Sequence, residues 1–223
     1  NDEIALMCHL CSVENRGGVL YLNDPRPECS HDECVELFSF INSSYCMNNK
    51  LKIYQTTKHD GIIVMKGEVS HLISDSDPVY KDRPLIKVKP LNIGDHTDSA
   101  LKTCNRLNDF IYQVYTGLEI HDVNSNRIKR GVHPLNCIVT QRAGSPRIVK
   151  SFSDLYGMKG LVIASGNVYK GLSVYVGMDF IKFSDTGDAK SDYSARINEA
   201  IKQLDFYDFI HVHTKMPDES AHK

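Results

Sequence analysis

The stretch Phe206-Tyr-Asp-Phe-Ile-His-Val-His-Thr-Lys-Met-Pro-Asp-Glu-Ser-Ala-His222 decides how the rest of the chain is read. Its apolar run, Phe209 to Val212, reads as a buried strand. Pro217 cannot donate to a ladder and stops the strand. Asp218 and His222 follow, and a helical turn starting at Asp218 would put both side chains on one face, about 5–6 Å apart at Cβ. An anionic oxygen beside a neutral ring nitrogen suits a hard or borderline divalent cation. The position just past the carboxyl end of a strand is where open α/β sheets hold ligands. The same spacing also fits a plain helix start, with Asp218 as N-cap, Glu219 in the first turn and His222 exposed.

Working outward, the pattern from Asn136 onward alternates. Cys137 to Thr140, Leu161 to Ala164, Phe180 to Phe183 and Phe209 to His213 read as strands. Helical stretches separate them at Ser153 to Tyr156, Val168 to Tyr175 and Ser191 to Leu204, the last with Ile197 and Ile201 facing inward. Strands alternating with helices imply crossover units and a parallel sheet whose strands are buried on both faces.

The first part of the chain reads differently. Glu3 to Val13 and Val19 to Leu22 are strands joined by the turn Asn15-Arg-Gly-Gly. Leu51 to Thr56 and Ile62 to Lys66 flank His59-Asp60-Gly61 as a second hairpin. Ser30 with Glu33 three residues on predicts a capping box opening a helix to about Tyr45, with Val35, Phe38 and Ile41 on successive turns. Leu85 to Val88 reads as a short strand closed by Pro90. A strong helix from Ser99 to Thr116 buries Leu101, Cys104, Leu107, Ile111, Val114 and Tyr115 and stops at Gly117. A shorter helix ends at Gly131. The expected organisation is an α+β domain with an antiparallel sheet over residues 1–133. After it, over 134–223, comes part of a doubly wound, mostly parallel α/β domain.

Charge and composition exclude some functions. Net charge is −2 over 223 residues, so nothing draws the whole chain toward nucleic acid or an anionic membrane. No apolar run reaches the ~18–20 residues of a membrane helix. An odd count of seven cysteines without a secretory signal fits reduced thiols and a cytoplasmic setting. Cys8, Cys11, Cys29 and Cys34 form two pairs that define an alternative, a non-catalytic zinc-binding module. Asp75 and Asp77 sit in turn chemistry, and the plain reading of both is a solvated turn. The chain opens Asn1-Asp-Glu and closes one residue past a candidate ligand, so both ends read as those of a piece of a larger protein.

The string His213-Thr-Lys215-Met-Pro-Asp218-Glu219-Ser-Ala-His222 resembles the metal-site segment of cofactor-independent phosphoglycerate mutases of the archaeal type, members of the alkaline phosphatase superfamily. The likeness continues through Cys11-Ser-Val, Gly18, Asp24 to Arg26, His59-Asp60-Gly61, Asp75-Ser-Asp77-Pro78, Lys87-Val-Lys89-Pro90, Asn124, Arg127, Ala143-Gly144 and Lys170-Gly171. In this family a phosphatase-like α/β domain is interrupted by an inserted domain, which agrees with the order read above.

The resemblance implies phosphate transfer between O3 and O2 of glycerate through a phosphorylated enzyme hydroxyl. It implies two divalent metal ions (Mn, Mg, Co or Zn) per intact site and no 2,3-bisphosphoglycerate. Asp218 and His222 are the implied metal ligands. Lys170, Arg26, Arg142 and Lys215 are the implied phosphate ligands, and Asp77 and His59 the candidates for moving hydroxyl protons. Phosphoglycerate is the expected partner, and a homo-oligomer is left open. Another phosphatase or phosphonate hydrolase of the same superfamily is the second reading. Three departures stand out. Gln141 occupies the family's arginine position, with Arg142 one place along and therefore on the other face of a strand. Arginines are sparse in the Asp24 loop. The family's nucleophilic serine and remaining metal ligands match nothing here, so this chain alone is expected to be inactive.

Overall fold

The computed structural model describes residues 2–46, 50–91 and 97–215, and Asp218 and His222 lie outside them. The chain divides into two compact units, Asn1–Pro146 and Arg147–Lys223.

In the first unit, β1 (Glu3–Arg16) turns through Gly17 and Gly18 into β2 (Val19–Asp24). Both glycines have positive φ, +63° and +89°, as a tight primed turn requires. Helix α1 (His31–Tyr45) leads to the hairpin β3 (Leu51–Thr57) and β4 (Asp60–Lys66). After α2 (Thr97–Glu119) and α3 (Asp122–Lys129) comes β5 (Cys137–Gly144). All pairings are antiparallel: β1 lies between β4 and β5 over residues 5–9, and its last five residues pair with β2. Helices α1 and α2 cover the sheet with a continuous core that includes Ile4, Leu37, Ile41, Leu107, Val114 and Leu118.

The cap of α1 forms as expected. Ser30 Oγ accepts from the Glu33 amide at 3.1 Å, and Glu33 Oε2 accepts from the Ser30 amide at 2.9 Å. The residue before the cap, Cys29, meets Cys34 in the first turn with sulfurs 3.1 Å apart, the positions of a hydrophobic staple. Glu33 has a further task. It accepts from Arg127 Nη1 at 2.8 Å and from Arg130 Nη2 at 2.5 Å. Arg127 is 1% exposed and also donates to the Glu28 and His133 carbonyls. Burial opposes ionisation of Glu33, but the Ser30 amide and the two guanidiniums outweigh it and hold the pKa below the ordinary carboxylate range.

Several expectations change on contact with the structure. β5 was assigned to the parallel set, but it pairs with β1, so the division falls after Pro146 rather than after residue 133. A four-residue apolar run reads alike in either kind of sheet, and the partner decides. Leu85 to Val88 is bracketed by Pro84 and Pro90, which lack donors, and single bridges at those prolines replace a strand. Gly117 does not end α2; it lies inside, where an added Cβ would sit 2.0 Å from Tyr45 Oη. Leu101 is 48% exposed and Val35 40%, because the buried stripe of α2 runs instead through Ala100, Cys104, Leu107, Ile111, Val114 and Leu118 and that of α1 through Cys34, Leu37, Phe38 and Ile41.

The second unit orders α4 (Phe152–Tyr156), β6 (Gly160–Ala164), α5 (Asn167–Tyr175), β7 (Asp179–Lys182), α6 (Ala189–Lys202) and β8 (Phe209–Val212). Its sheet is parallel in the order β7-β6-β8, as the alternation implies. Only the central strand β6 is buried throughout; β7 and β8 are partly exposed. Helix α6 turns Asp192 and Arg196 inward and leaves Ile197 and Ile201 exposed. Polar contacts override the apolar pattern here. Arg196 pairs with Asp185, and Asp192 accepts from the Thr186 amide and hydroxyl.

Glu33→Gln should lower stability by about 3 kcal/mol, because it strips the charge from a pair whose arginine stays buried. Denaturant midpoints check this. The native pKa of Glu33 is depressed, so its contribution is present above the unfolded value of 4.5 and is lost as pH falls through the native value.

Candidate functional site

In the first unit the sheet brings together residues far apart in sequence. β1 places His9 opposite Asp60 at the start of β4. Gly61 makes this close approach feasible, since a Cβ there would lie 3.0 Å from the Phe38 ring and 3.0 Å from the Tyr54 carbonyl. Asp60 takes a two-pronged ion pair from Arg26, at 2.9 and 3.2 Å, and a bond from the Thr57 hydroxyl at 3.1 Å. Burial works against its charge, but Arg26 and Thr57 prevail and its pKa falls below normal. His59 Nε2 lies 2.9 Å from the Pro27 carbonyl, which can only accept. The ring proton is therefore on Nε2, and Nδ1 keeps its lone pair.

Asp77 is 6% exposed and is not a solvated turn residue. Oδ1 accepts from the Val79 amide at 2.7 Å, closing an Asx-turn, and Oδ2 accepts from Gln141 Nε2 at 2.6 Å. Val79 has a φ of +68°, an outlier for a β-branched residue and a sign of local strain at this turn. Asp75 Oδ1 accepts from the Arg142 amide at 2.8 Å. Thus both acids of the Ser74–Pro78 loop grip the end of β5. There the register against β1 gains one residue, a β-bulge, and Arg142 takes a φ of +55°. Gln141 points to Asp77, and Arg142 is exposed.

His9 completes the cluster. It is 8% exposed, and its Nε2 is buried without a hydrogen-bond partner, 3.8 Å from Asp77 Oδ2. Burial lowers its pKa, Arg26 and His59 reinforce this, and the attraction of Asp77 and Asp60 does not reverse it.

In the second unit the feature to note is the carboxyl end of β6 and β8. β6 runs into Ser165 and Gly166, and α5 starts there with no side-chain cap. Lys215 Nζ is close by, 3.7 Å from where a Gly166 Cβ would stand. Ser165 Oγ and His213 Nδ1 are buried without partners. Tyr169 stacks on His213 with ring centres 3.7 Å apart and bonds its Nε2 at 2.5 Å. Burial, then His211, Lys215 and Arg196, press the His213 pKa down. Uncapped amides, an ammonium and an unpartnered hydroxyl together suit an anion. Lys170 lies on the exposed side of the first turns of α5.

Residues 1–124 match the family model described as 2,3-bisphosphoglycerate-independent phosphoglycerate mutase. The chain belongs to that mutase family. Among named relatives, a 2,3-bisphosphoglycerate-independent phosphoglycerate mutase of Ignicoccus hospitalis is 31% identical over 99% of this chain and 53% of its own. The second such mutase of Methanocaldococcus jannaschii is 37% identical over 92% of this chain and 47% of its own. The solved cofactor-independent phosphoglycerate mutase from Thermoplasma acidophilum superposes with a TM-score of 0.67 at 26% identity, covering 96% of this chain and 54% of that one. The chain spans about half the length of the relatives it matches.

Set against the mutase resemblance, the first unit gathers Arg26, His59 and Asp77 around one sheet, and the second places Lys215 beside the α5 start. The zinc module does not form. Among the described residues no group of three or more His, Cys, Asp or Glu could hold a metal. Cys8 and Cys11 stand three apart on a strand, hence on opposite faces, and Cys11 donates to the Cys137 carbonyl. Sequence reasoning missed His9, Ser165, Tyr169 and His213 as site residues. A lone imidazole inside the apolar run Ile4 to Val13 was the one available signal for His9; the others needed neighbours known only from the fold.

Both His9 and His213 should titrate below 6.5 in a ring-proton NMR titration. With pKa values depressed by folding, both stabilise the fold above the unfolded value, and that contribution is lost as pH falls through the native ones. Titration at or above 6.5 would contradict the burial described.

Proposed function

We propose that this chain serves in the metal-dependent interconversion of 3-phosphoglycerate and 2-phosphoglycerate, through a phosphoenzyme and without bisphosphoglycerate. Membership of the mutase family carries this reading, and the side-chain arrangement supports it. The substrate has a phosphate and a carboxylate, so it needs cations. Two guanidinium hydrogens of Arg26 are committed to Asp60, and the remaining three can take an anionic oxygen. Arg142, exposed on its bulge, is a second such group.

His59 has the chemistry to take and return the proton of a glycerate hydroxyl, because its bare Nδ1 is set by the Pro27 carbonyl on the other nitrogen. Asp77, buried and held by Gln141 and Val79, acts through the groups it positions. In the second unit the amides at the start of α5, with Ser165, Lys170 and Lys215, receive phosphoryl oxygens. Asp218 and His222 lie outside the described residues; as a carboxylate and an imidazole they are a fitting part of a divalent-metal donor set. When bound, such ions would activate an enzyme hydroxyl and neutralise phosphoryl charge. The setting is cytoplasmic, in keeping with seven free cysteines and with the absence, among the described residues, of any helix long and apolar enough to cross a membrane.

The test uses the full-length protein that contains this chain, assayed on 3-phosphoglycerate with added Mn. Activity is expected with the intact protein and none with residues 1–223 alone. Lys170→Ala should cut kcat/KM by about a hundredfold, the loss typical of one positioned donor to developing charge. Asp218→Ala should lower the metal bound per chain. A full-length protein that loads metal yet leaves 3-phosphoglycerate unchanged would sink the assignment.

A further inference from the structure

The staple at the head of α1 is made of two thiols. Cys29 lies just before the N-cap and Cys34 in the first turn, with sulfurs 3.1 Å apart. A disulfide bond is about 2.05 Å long, so the sulfurs need close by only about 1 Å. The two are unequally placed. Cys34 is fully buried, and burial, reinforced by the Cys29 thiol against it, pushes its pKa up to about 12. Cys29 is half-buried and faces an open cavity of about 560 Å³ lined also by Glu28, Ser30, Glu33, Arg127 and Arg130. An oxidant therefore meets Cys29 first. Cys11 and Cys137 also adjoin, but both are wholly enclosed.

We propose that Cys29 and Cys34 form an oxidative modification site for hydroperoxides, with Cys29 the oxidised thiol and Cys34 the resolving one. In the first step the Cys29 sulfur attacks the peroxide oxygen. The O–O bond breaks, an alcohol or water leaves, and Cys29 becomes a sulfenic acid. In the second step the Cys34 sulfur attacks the Cys29 sulfur. The S–S bond forms, the S–O bond breaks, and the hydroxyl departs with the thiol proton as water. Two thiols are oxidised and one peroxide is reduced. Contact between the sulfurs makes the second step effectively unimolecular, which favours it over further oxidation of Cys29.

The site bears on the loop that precedes α1. That loop carries Arg26, the Pro27 carbonyl that sets His59 and the Glu28 carbonyl that holds Arg127. Oxidation converts a packed contact at its end into a covalent one, fastening the loop to the helix. The chemistry needs no particular reading of the enzyme's activity.

The experiment treats the folded chain with hydrogen peroxide, blocks remaining thiols by alkylation and cleaves after glutamate. Glu28, Glu33 and Glu36 flank the pair, so the cross-link joins the peptide 29–33 to the peptide 34–36. That joined species is expected at about 2 Da below the sum of its parts, and dithiothreitol should separate it. Cys34→Ser should abolish it and leave Cys29 trappable by dimedone, whereas Cys46→Ser should change nothing. Recovery of Cys29 as a sulfinic acid with Cys34 still open to alkylation overturns the proposal, as does a cross-link that needs Cys46. The wild-type digest decides the matter even if the Cys34 variant does not fold.

Discussion

A strand buried on both faces can leave no edge unpaired. β1 carries Ile4, Leu6, Cys8 and Leu10 on one face and His9, Cys11 and Val13 on the other, all buried. Each amide and carbonyl along it must then find a protein partner. β4 supplies one edge over residues 3–9, β5 the other over residues 5–11, and β2 takes up residues 12–16. The pairing of Cys11 with Cys137 spans 126 residues, so the intervening helices, hairpin and loops form one closed unit. The same pairing carries Gln141 and Arg142 to Asp77 and Asp75.

The loops of that unit are held by asparagines that imitate strands. Asn42 bonds both the amide and the carbonyl of Ile53; Asn108 does the same for Val88, Asn124 for Leu135 and Asn136 for Val13. Each carboxamide offers one acceptor and a donor in the spacing of a neighbouring backbone, so a buried chain end is satisfied without another strand. Arg127 does the same for a corner, tying α1, α3 and two carbonyls through one guanidinium. These clamps hold in place the loop with Arg26 and the start of β5, which is how packing becomes positioning of the site.

Parts of this were legible in the residues. The Ser30 and Glu33 pair could be read as a capping box because its contacts are local. The Gly17-Gly18 turn was readable for the same reason. Asp77 was visible as a functional candidate only through a motif resemblance; its turn chemistry pointed to solvent, and it is the distant Gln141 that makes it a buried, positioned carboxylate. The inward face of α6 was misread, since Ile197 and Ile201 outweigh Asp192 and Arg196 on any hydropathy pattern, and only the 185–186 loop reverses that ranking.

Local chemistry thus determined where helices begin, where hairpins turn and that strands alternate with helices after residue 147, because each depends on residues a few places apart. The tertiary structure alone decided that β5 belongs to the antiparallel sheet, that His9 faces Asp77 and that Cys29 touches Cys34 with one sulfur buried and the other facing a cavity. An apolar run specifies burial but no partner. The partner is chosen by which unpaired edge, charge or cavity the folded chain leaves for it.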